Sequence, residues 1–174
     1  MALRQVLDQV RRMESDGIVA RYAIGGAVGA TIYLEPAATF DVDIFVVFKS
    51  ENEAALITLT PIYEYLRVNG ALIEGEHIRI GDWPVQFLPA SNELLKEAMA
   101  DAVDVIVDGV ATRVFSAEHL AAIALQTGRA KDKSRLLQFV ESDVLNRDRF
   151  ALIVSRHGLD TKWELFKSQF LSQK

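Results

Sequence analysis

The stretch from Tyr22 to Phe48, YAIGGAVGATIYLEPAATFDVDIFVVF, decides the fold of this chain. It begins as a short apolar run, passes through a Gly25-Gly26 turn and a helix of small residues, and ends in a strongly apolar strand. Two aspartates, Asp41 and Asp43, open that strand. Because side chains alternate between the two faces of a strand, both carboxylates lie on one face at one strand end. Two converging carboxylates predict a functional site.

The bulk composition indicates an ordinary globular protein. The chain has 174 residues, half of them hydrophobic, which is enough for one domain, or for one core with a small appendage. A net charge of -5 gives no support for a broad polyanion-binding surface. The chain has no cysteine, which excludes disulfides, thiolate metal sites and cysteine nucleophiles and fits a reducing compartment. Without an apolar run of about 18 residues, we expect a cytoplasmic protein with no membrane contact.

Hydrophobic periodicity predicts a mixed α/β half followed by helices alone. The fold class is therefore α+β, a mixed central sheet flanked by helices, with a core over residues 1–115 and a C-terminal helical region over 116–174 that packs on it. Asp108-Gly109 predicts a hairpin turn, and Thr60 before Pro61 is typical of an N-cap. The predicted strands are 18–24, 42–48, 76–80, 84–88, 103–107 and 110–115. The predicted helices are 3–13, 27–34, one from Thr60 to Asn69, 92–100, 117–127, 132–143, 148–157 and 160–171.

The Gly25-Gly26 turn has two interpretations. Glycines between a strand and a helix let backbone amides approach phosphate, but they also serve a tight turn or close packing. A dinucleotide-binding fingerprint does not fit, because its acidic residue follows the second strand, whereas Asp41 and Asp43 precede theirs.

The aspartate pair is equally open to two interpretations when taken alone. Carboxylate oxygens are the ligands that Mg²⁺ prefers, and substrate phosphates complete its coordination. Alternatively, Asp41 caps a turn and Asp43 faces solvent.

The order of these pieces carries a family resemblance. Gly-Gly after a short strand, then a helix, then Asp-x-Asp on the next strand resembles the nucleotidyltransferase superfamily, with its polymerase-β-like fold. Within it the chain is most similar to the minimal AbiEii-type group, known for toxin members. The resemblance covers residues 24–88 and 116–135, where SAEHLAAIALQTGRAKDKSR contains a Gly-Arg-x-Lys-Asp segment. It implies a nucleotidyltransferase-like core.

The resemblance also implies an activity and a set of site residues. The activity is Mg²⁺-dependent transfer of a nucleoside monophosphate from a nucleoside triphosphate to an unidentified acceptor, which would be an RNA or a protein. A partner protein of a two-component toxin-antitoxin system is implied as well. Gly25, Gly26, Arg129 and Lys131 would bind the nucleotide, Asp41 and Asp43 would ligate one or two magnesium ions, and Asp132 would position or activate the acceptor.

One departure from the family pattern concerns the third catalytic carboxylate. Active members carry it on a later strand, where this chain has Gln86, a neutral amide that cannot act as a base. Glu74, Glu76 or Asp82 could substitute. The alternative function is therefore a catalytically degenerate protein that binds nucleotide or a partner, and a third hypothesis is a purely structural domain.

Two further groups of residues can be explained by structural roles alone. Arg129, Lys131, Lys133 and Arg135 form a basic cluster that could meet a triphosphate or an RNA, or could be a solvated helix face with Asp132 as the helix cap. His77, His119 and His157 show no metal-ligand spacing, which favours surface or packing roles.

Overall fold

The structure is a computed structural model that describes residues 3–36, 39, 41–49, 58–74 and 77–171. Within these ranges the strands are β1 Arg21–Ile24, β2 Val42–Val47, β3 Leu72–Glu74, β4 His77–Ile80, β5 Trp83–Pro89, β6 Val103–Val107 and β7 Val110–Val114. The helices are α1 Arg4–Ser15, α2 Gly26–Ala30, α3 Thr60–Val68, α4 Glu93–Ala100, α5 Ala117–Thr127, α6 Ala130–Glu141, α7 Arg147–Arg156 and α8 Asp160–Phe170. None of these helices is long and apolar enough to cross a bilayer.

The seven strands form one mixed sheet in the order β3-β4-β5-β2-β1-β7-β6. β1 pairs antiparallel with β2, whereas β2 pairs parallel with β5 and β1 pairs parallel with β7. The predicted fold class, a mixed sheet flanked by helices with further helices at the C-terminal end, is confirmed.

The period of two along β2 assigns its side chains to two separate cores. Val42, Ile44 and Val46 lie in a cluster with the buried stripe of α1 and with Ile62 and Leu66 of α3. Phe45, which points the other way, lies in a second cluster built mainly from α4 to α8. Asp43 shares the parity of Phe45, so its side chain lies on the sheet face that the C-terminal helices cover.

The hairpin turn and the helix caps that the sequence predicts in the second half of the chain are present in the structure. β6 and β7 form the predicted hairpin, with Asp108 and Gly109 both at positive φ in the turn. The Ser116 hydroxyl caps α5 by accepting a hydrogen bond from the His119 amide, and Gly128 ends that helix in the left-handed region.

One local prediction is wrong: Thr60 is the first residue of α3, whose cap position is Leu59, and its amide donates a hydrogen bond to the Thr58 hydroxyl. The alternative that made Asp132 a helix cap does not hold either, since Asp132 lies inside α6, whose cap position is Arg129. The short edge strand β3 has no counterpart in the sequence prediction. Glu76, the predicted start of one strand and a candidate substitute carboxylate, lies outside the described residues.

Candidate functional site

The pairing of β1 with β2 brings the glycine turn to the aspartates. The two strands run antiparallel with Ile24 opposite Ile44, so the end of β1 meets the beginning of β2. The Gly25 amide donates a hydrogen bond to the Asp43 carbonyl at 3.0 Å. The turn and the carboxylate that lie 18 positions apart are therefore direct neighbours.

Gly26 packs against the Asp43 side chain itself. Its φ is +56°, in the region that only glycine adopts without strain. A Cβ atom at this position would lie 1.9 Å from Asp43 Oδ2 and 2.8 Å from its Cγ. Close approach of the backbone to the carboxylate is therefore a sufficient reason for glycine here, independent of any ligand.

Gly25 is constrained from the opposite direction, by an aromatic pair. A Cβ on Gly25 would lie 2.4 Å from Cε2 of Phe45, whose ring contacts Phe115 with centroids 4.8 Å apart. Close packing alone therefore accounts for glycine at both positions. A role of these glycines in phosphate binding stays a prediction.

Gln86 lies directly beside Asp43. The parallel pairing of β2 with β5 sets Asp43 opposite Gln86, and the parity of β5 places the amide on the same sheet face as the carboxylate. The neighbouring strand therefore offers a neutral side chain at this register. Glu74 lies on β3, which β4 and β5 separate from β2.

Positive charge reaches the aspartates from α6. Burial raises the pKa of the Asp43 carboxyl above its usual value and the charge of Asp41 raises it further, while Lys131, Arg135 and Arg129 act to lower it. Three cations of one helix thus act on the carboxylate pair. Arg135 is the residue that the predicted site omits, although its place four residues after Lys131 puts both on one helix face.

Asp132 holds two of these arginines. Its carboxylate is 3% exposed and accepts from Arg129 Nε at 2.6 Å, while Arg135 Nη1 lies 3.6 Å from its other oxygen. The hydrogen bond to Asp132 is also the main reason why the pKa of Arg129 is raised. The Asp132 carboxylate therefore holds two guanidinium groups whose charges act on Asp43.

The unfavourable charge at Asp43 leads to a stability prediction. Because its pKa is raised in the folded state above the usual 3.8, ionisation of Asp43 costs stability as the pH rises through the folded-state pKa. Asp43→Asn removes that cost, so the metal-free variant will unfold at higher urea concentration than the wild type at pH 7. The advantage will shrink as the pH falls toward 3.8, where neither state ionises fully. Urea titrations of both proteins across this range check it, and an advantage that grows on acidification would contradict it.

Comparisons with known proteins bear on the fold. No family model and no curated protein matches the sequence. Among solved structures, the chain is similar to an antigenic nucleotidyltransferase-like protein from Paracoccidioides brasiliensis, at 14% identity and a TM-score of 0.55, over 93% of this chain and 92% of that one. The antibiotic-resistance factor ANT(2'')-Ia is similar at 14% identity and a TM-score of 0.49, over 98% and 92%. The narrower likeness to the AbiEii-type group stays a prediction. The chain has the nucleotidyltransferase-like fold.

Proposed function

We propose that the chain is a magnesium-dependent nucleotidyltransferase, which transfers a nucleoside monophosphate from a nucleoside triphosphate to an acceptor. The observation that carries this proposal is the packing of the Gly25-Gly26 turn directly against Asp43, with the charges of Arg129, Lys131 and Arg135 acting on the same carboxylate. Phosphoryl chemistry needs carboxylates and cations close to the reacting phosphate, since positioning and charge stabilisation supply most of its catalysis. The beginning of β2 offers two carboxylates, and α6 offers the cations.

The aspartates fit a hard divalent cation. Both side chains are partly buried, both offer oxygen, and the charge of Asp41 acts unfavourably on Asp43. A cation between them would relieve that repulsion, so Asp41 and Asp43 are the residues that would hold one or two magnesium ions. Bound there, magnesium would offset the charge of the triphosphate.

The α6 cations would bind the phosphates. Arg129 and Lys131 are exposed, so their charged groups are available to a ligand, whereas Arg135 is mostly covered and is a fixed charge behind them. Gly25 and Gly26 would allow the phosphates to approach the backbone. We assign Asp132 the role of fixing Arg129 and Arg135, since those arginines engage its carboxylate oxygens.

In the proposed reaction, an acceptor hydroxyl attacks the α-phosphorus in line. The bond from that phosphorus to the β-phosphate oxygen breaks, and pyrophosphate leaves. The resemblance to AbiEii-type proteins extends the proposal to an RNA or protein acceptor and to a partner protein of a toxin-antitoxin system.

A labelling assay tests the transfer. The purified chain, magnesium and each α-labelled nucleoside triphosphate are incubated with cell extract, and labelled RNA and protein are separated. We expect one labelled product that disappears with Asp43→Asn and with EDTA, whereas Asp8→Asn, a change on the exposed face of α1, labels as the wild type does. Equal labelling by Asp43→Asn would refute the proposed site.

Gln86 favours a second function, a nucleotide-binding or partner-binding module that has lost catalysis. The amide sits in register with Asp43, where a carboxylate would share the metal. Gln86→Asp distinguishes the two functions. If the wild type binds magnesium and nucleotide without transferring label and Gln86→Asp gains transfer, the chain is a degenerate binder. Transfer by the wild type itself excludes that interpretation.

A further inference from the structure

A second group of ionisable side chains lies away from the glycine turn, where α4, α5 and α7 meet. We call it the histidine–carboxylate cluster, and it contains Glu97, Asp101, His119 and His157. One ligand atom each from Glu97, Asp101 and His119 lie within 4.8 Å of one another. The Nε2 atom of His157 lies 2.7 Å from Glu97 Oε2. Two imidazoles from different helices therefore converge on one carboxylate.

The buried histidine is oriented as a metal ligand must be. His119 is fully buried, and its Nδ1 atom lies 2.8 Å from the hydroxyl of Ser116, the cap of α5. That contact fixes the ring and leaves Nε2 facing Glu97. A metal-binding histidine is held in the same manner, through a hydrogen bond to its other ring nitrogen.

The distance between the two groups is compatible with shared coordination. His119 Nε2 and Glu97 Oε1 are 3.3 Å apart, which is a long hydrogen bond in the metal-free protein. Zinc bonds of about 2.0–2.2 Å place neighbouring tetrahedral ligand atoms about 3.3–3.5 Å from each other.

The donor set also selects the class of metal. Imidazole nitrogens combined with carboxylates suit zinc and its neighbours in the first transition row, whereas magnesium and calcium prefer oxygen alone. The charges that act on His119 come from Glu97, Asp101 and Arg149, and those that act on Asp43 come from Asp41 and α6. The cluster is thus separate from the nucleotide site in position and in chemistry.

Two arginines occupy the carboxylates in the metal-free protein. Arg156 Nη1 lies 2.7 Å from Glu97 Oε1, and Arg149 Nη2 lies 3.1 Å from Asp101 Oδ2. Both arginine side chains are about half exposed, so both guanidinium groups can turn away from these carboxylates while their stems stay packed. A dication can therefore replace Arg156 on Glu97, whereas Arg149, whose Nη1 lies 3.8 Å from the buried carboxylate of Glu118, keeps that contact and gives up Asp101 alone.

We propose that Glu97, Asp101 and His119 bind a transition-metal ion of the zinc class, with water in the remaining position, and thereby tie α4 to α5. His157, whose Nε2 lies 2.7 Å from Glu97 Oε2, orients that carboxylate from the end of α7. The bound metal stabilises the packing of the helices that cover the catalytic face of the sheet.

Cobalt spectroscopy on the metal-free full chain tests the proposal. Co²⁺ in a four-coordinate nitrogen and oxygen site gives intense visible bands that six-coordinate Co²⁺ lacks. We expect those bands on addition of about one equivalent, their loss on addition of Zn²⁺, and no response to Mg²⁺. Zinc at about 100-fold above its Kd will raise the melting temperature by several degrees.

Variants assign the bands to these residues. Asp101→Ala and His119→Gln will abolish them, and Asp101→Ala decides the matter if the fully buried His119 cannot be replaced without unfolding. His77→Gln, a change of the third histidine, and Asp43→Asn, a change in the nucleotide site, will leave them intact. Absence of the bands in the wild type, or their persistence in Asp101→Ala, would show that the cluster is a hydrogen-bonded ion-pair network alone.

Discussion

Alanine at position 26 will lower the free energy of unfolding by about 2–5 kcal/mol and abolish magnesium-dependent nucleotide binding. Two costs combine. A residue with a side chain at a φ of +56° costs roughly 1–2 kcal/mol, and overpacking adds about 1–3 kcal/mol. The overpacking falls on the Asp43 side chain, because the new Cβ would lie 1.9 Å from its Oδ2 atom. Urea unfolding and calorimetry with magnesium and nucleotide measure the two losses.

Gly158→Ala is the matched control for Gly26→Ala. Gly158 has a φ of +63°, and among the described residues, its two chain neighbours aside, none has an atom within 4 Å of the position its Cβ would take. The control therefore carries the backbone strain of about 1–2 kcal/mol alone and keeps nucleotide binding. If both variants lose the same stability and both still bind, the contact between Gly26 and Asp43 has no functional weight.

Asp132→Asn will cost about 2–3 kcal/mol of stability and weaken nucleotide binding at the same time. The substitution keeps the shape of the side chain but removes the charge that holds Arg129 and Arg135. Charge-assisted hydrogen bonds contribute about 1.5–3 kcal/mol each, and the exposure of Arg129 reduces its share. Chemical denaturation and nucleotide titration on the same protein preparation check the two effects.

The same variant distinguishes an anchor from a catalytic group. If Asp132 acts on the acceptor directly, as the family resemblance implies, Asp132→Asn will stop transfer while stability and nucleotide affinity stay close to those of the wild type. Asp8→Asn breaks an exposed ion pair with Arg4 and serves as the reference, with a change within about 0.5 kcal/mol.

Local signals in the sequence were sufficient for much of the fold. The β-branched and aromatic run of residues 42–47 predicts a strand, and the period of two places Asp41 and Asp43 on one face. Asp108-Gly109 predicts its hairpin because few turns accept positive φ at two positions. The sequence does not predict β3, because a strand of three residues is too short to show a hydrophobic period. Its position depends on pairing with β4.

The site was less accessible to sequence reasoning, because it depends on contacts between distant segments. The charges of α6 act on Asp43 across almost 90 positions of sequence, which a family resemblance can suggest and periodicity cannot. His119 and His157 are a second pair of residues whose contact cannot be predicted from sequence patterns. They lie 38 positions apart on different helices, and only the packing of α5 and α7 directs both rings to Glu97.

The position of β1 in the sheet has a consequence for folding during synthesis. β1 pairs on one side with β2, which follows soon after it, and on the other side with β7, where Ile24 meets Val114. The Tyr22 hydroxyl and its partner Thr112 are 90 positions apart. A nascent chain that ends before β7 therefore leaves one edge of β1 open to other strands. Closing this contact late carries the entropic cost of a long loop, so the pairing of β1 on both sides is completed only after most of the chain has left the ribosome.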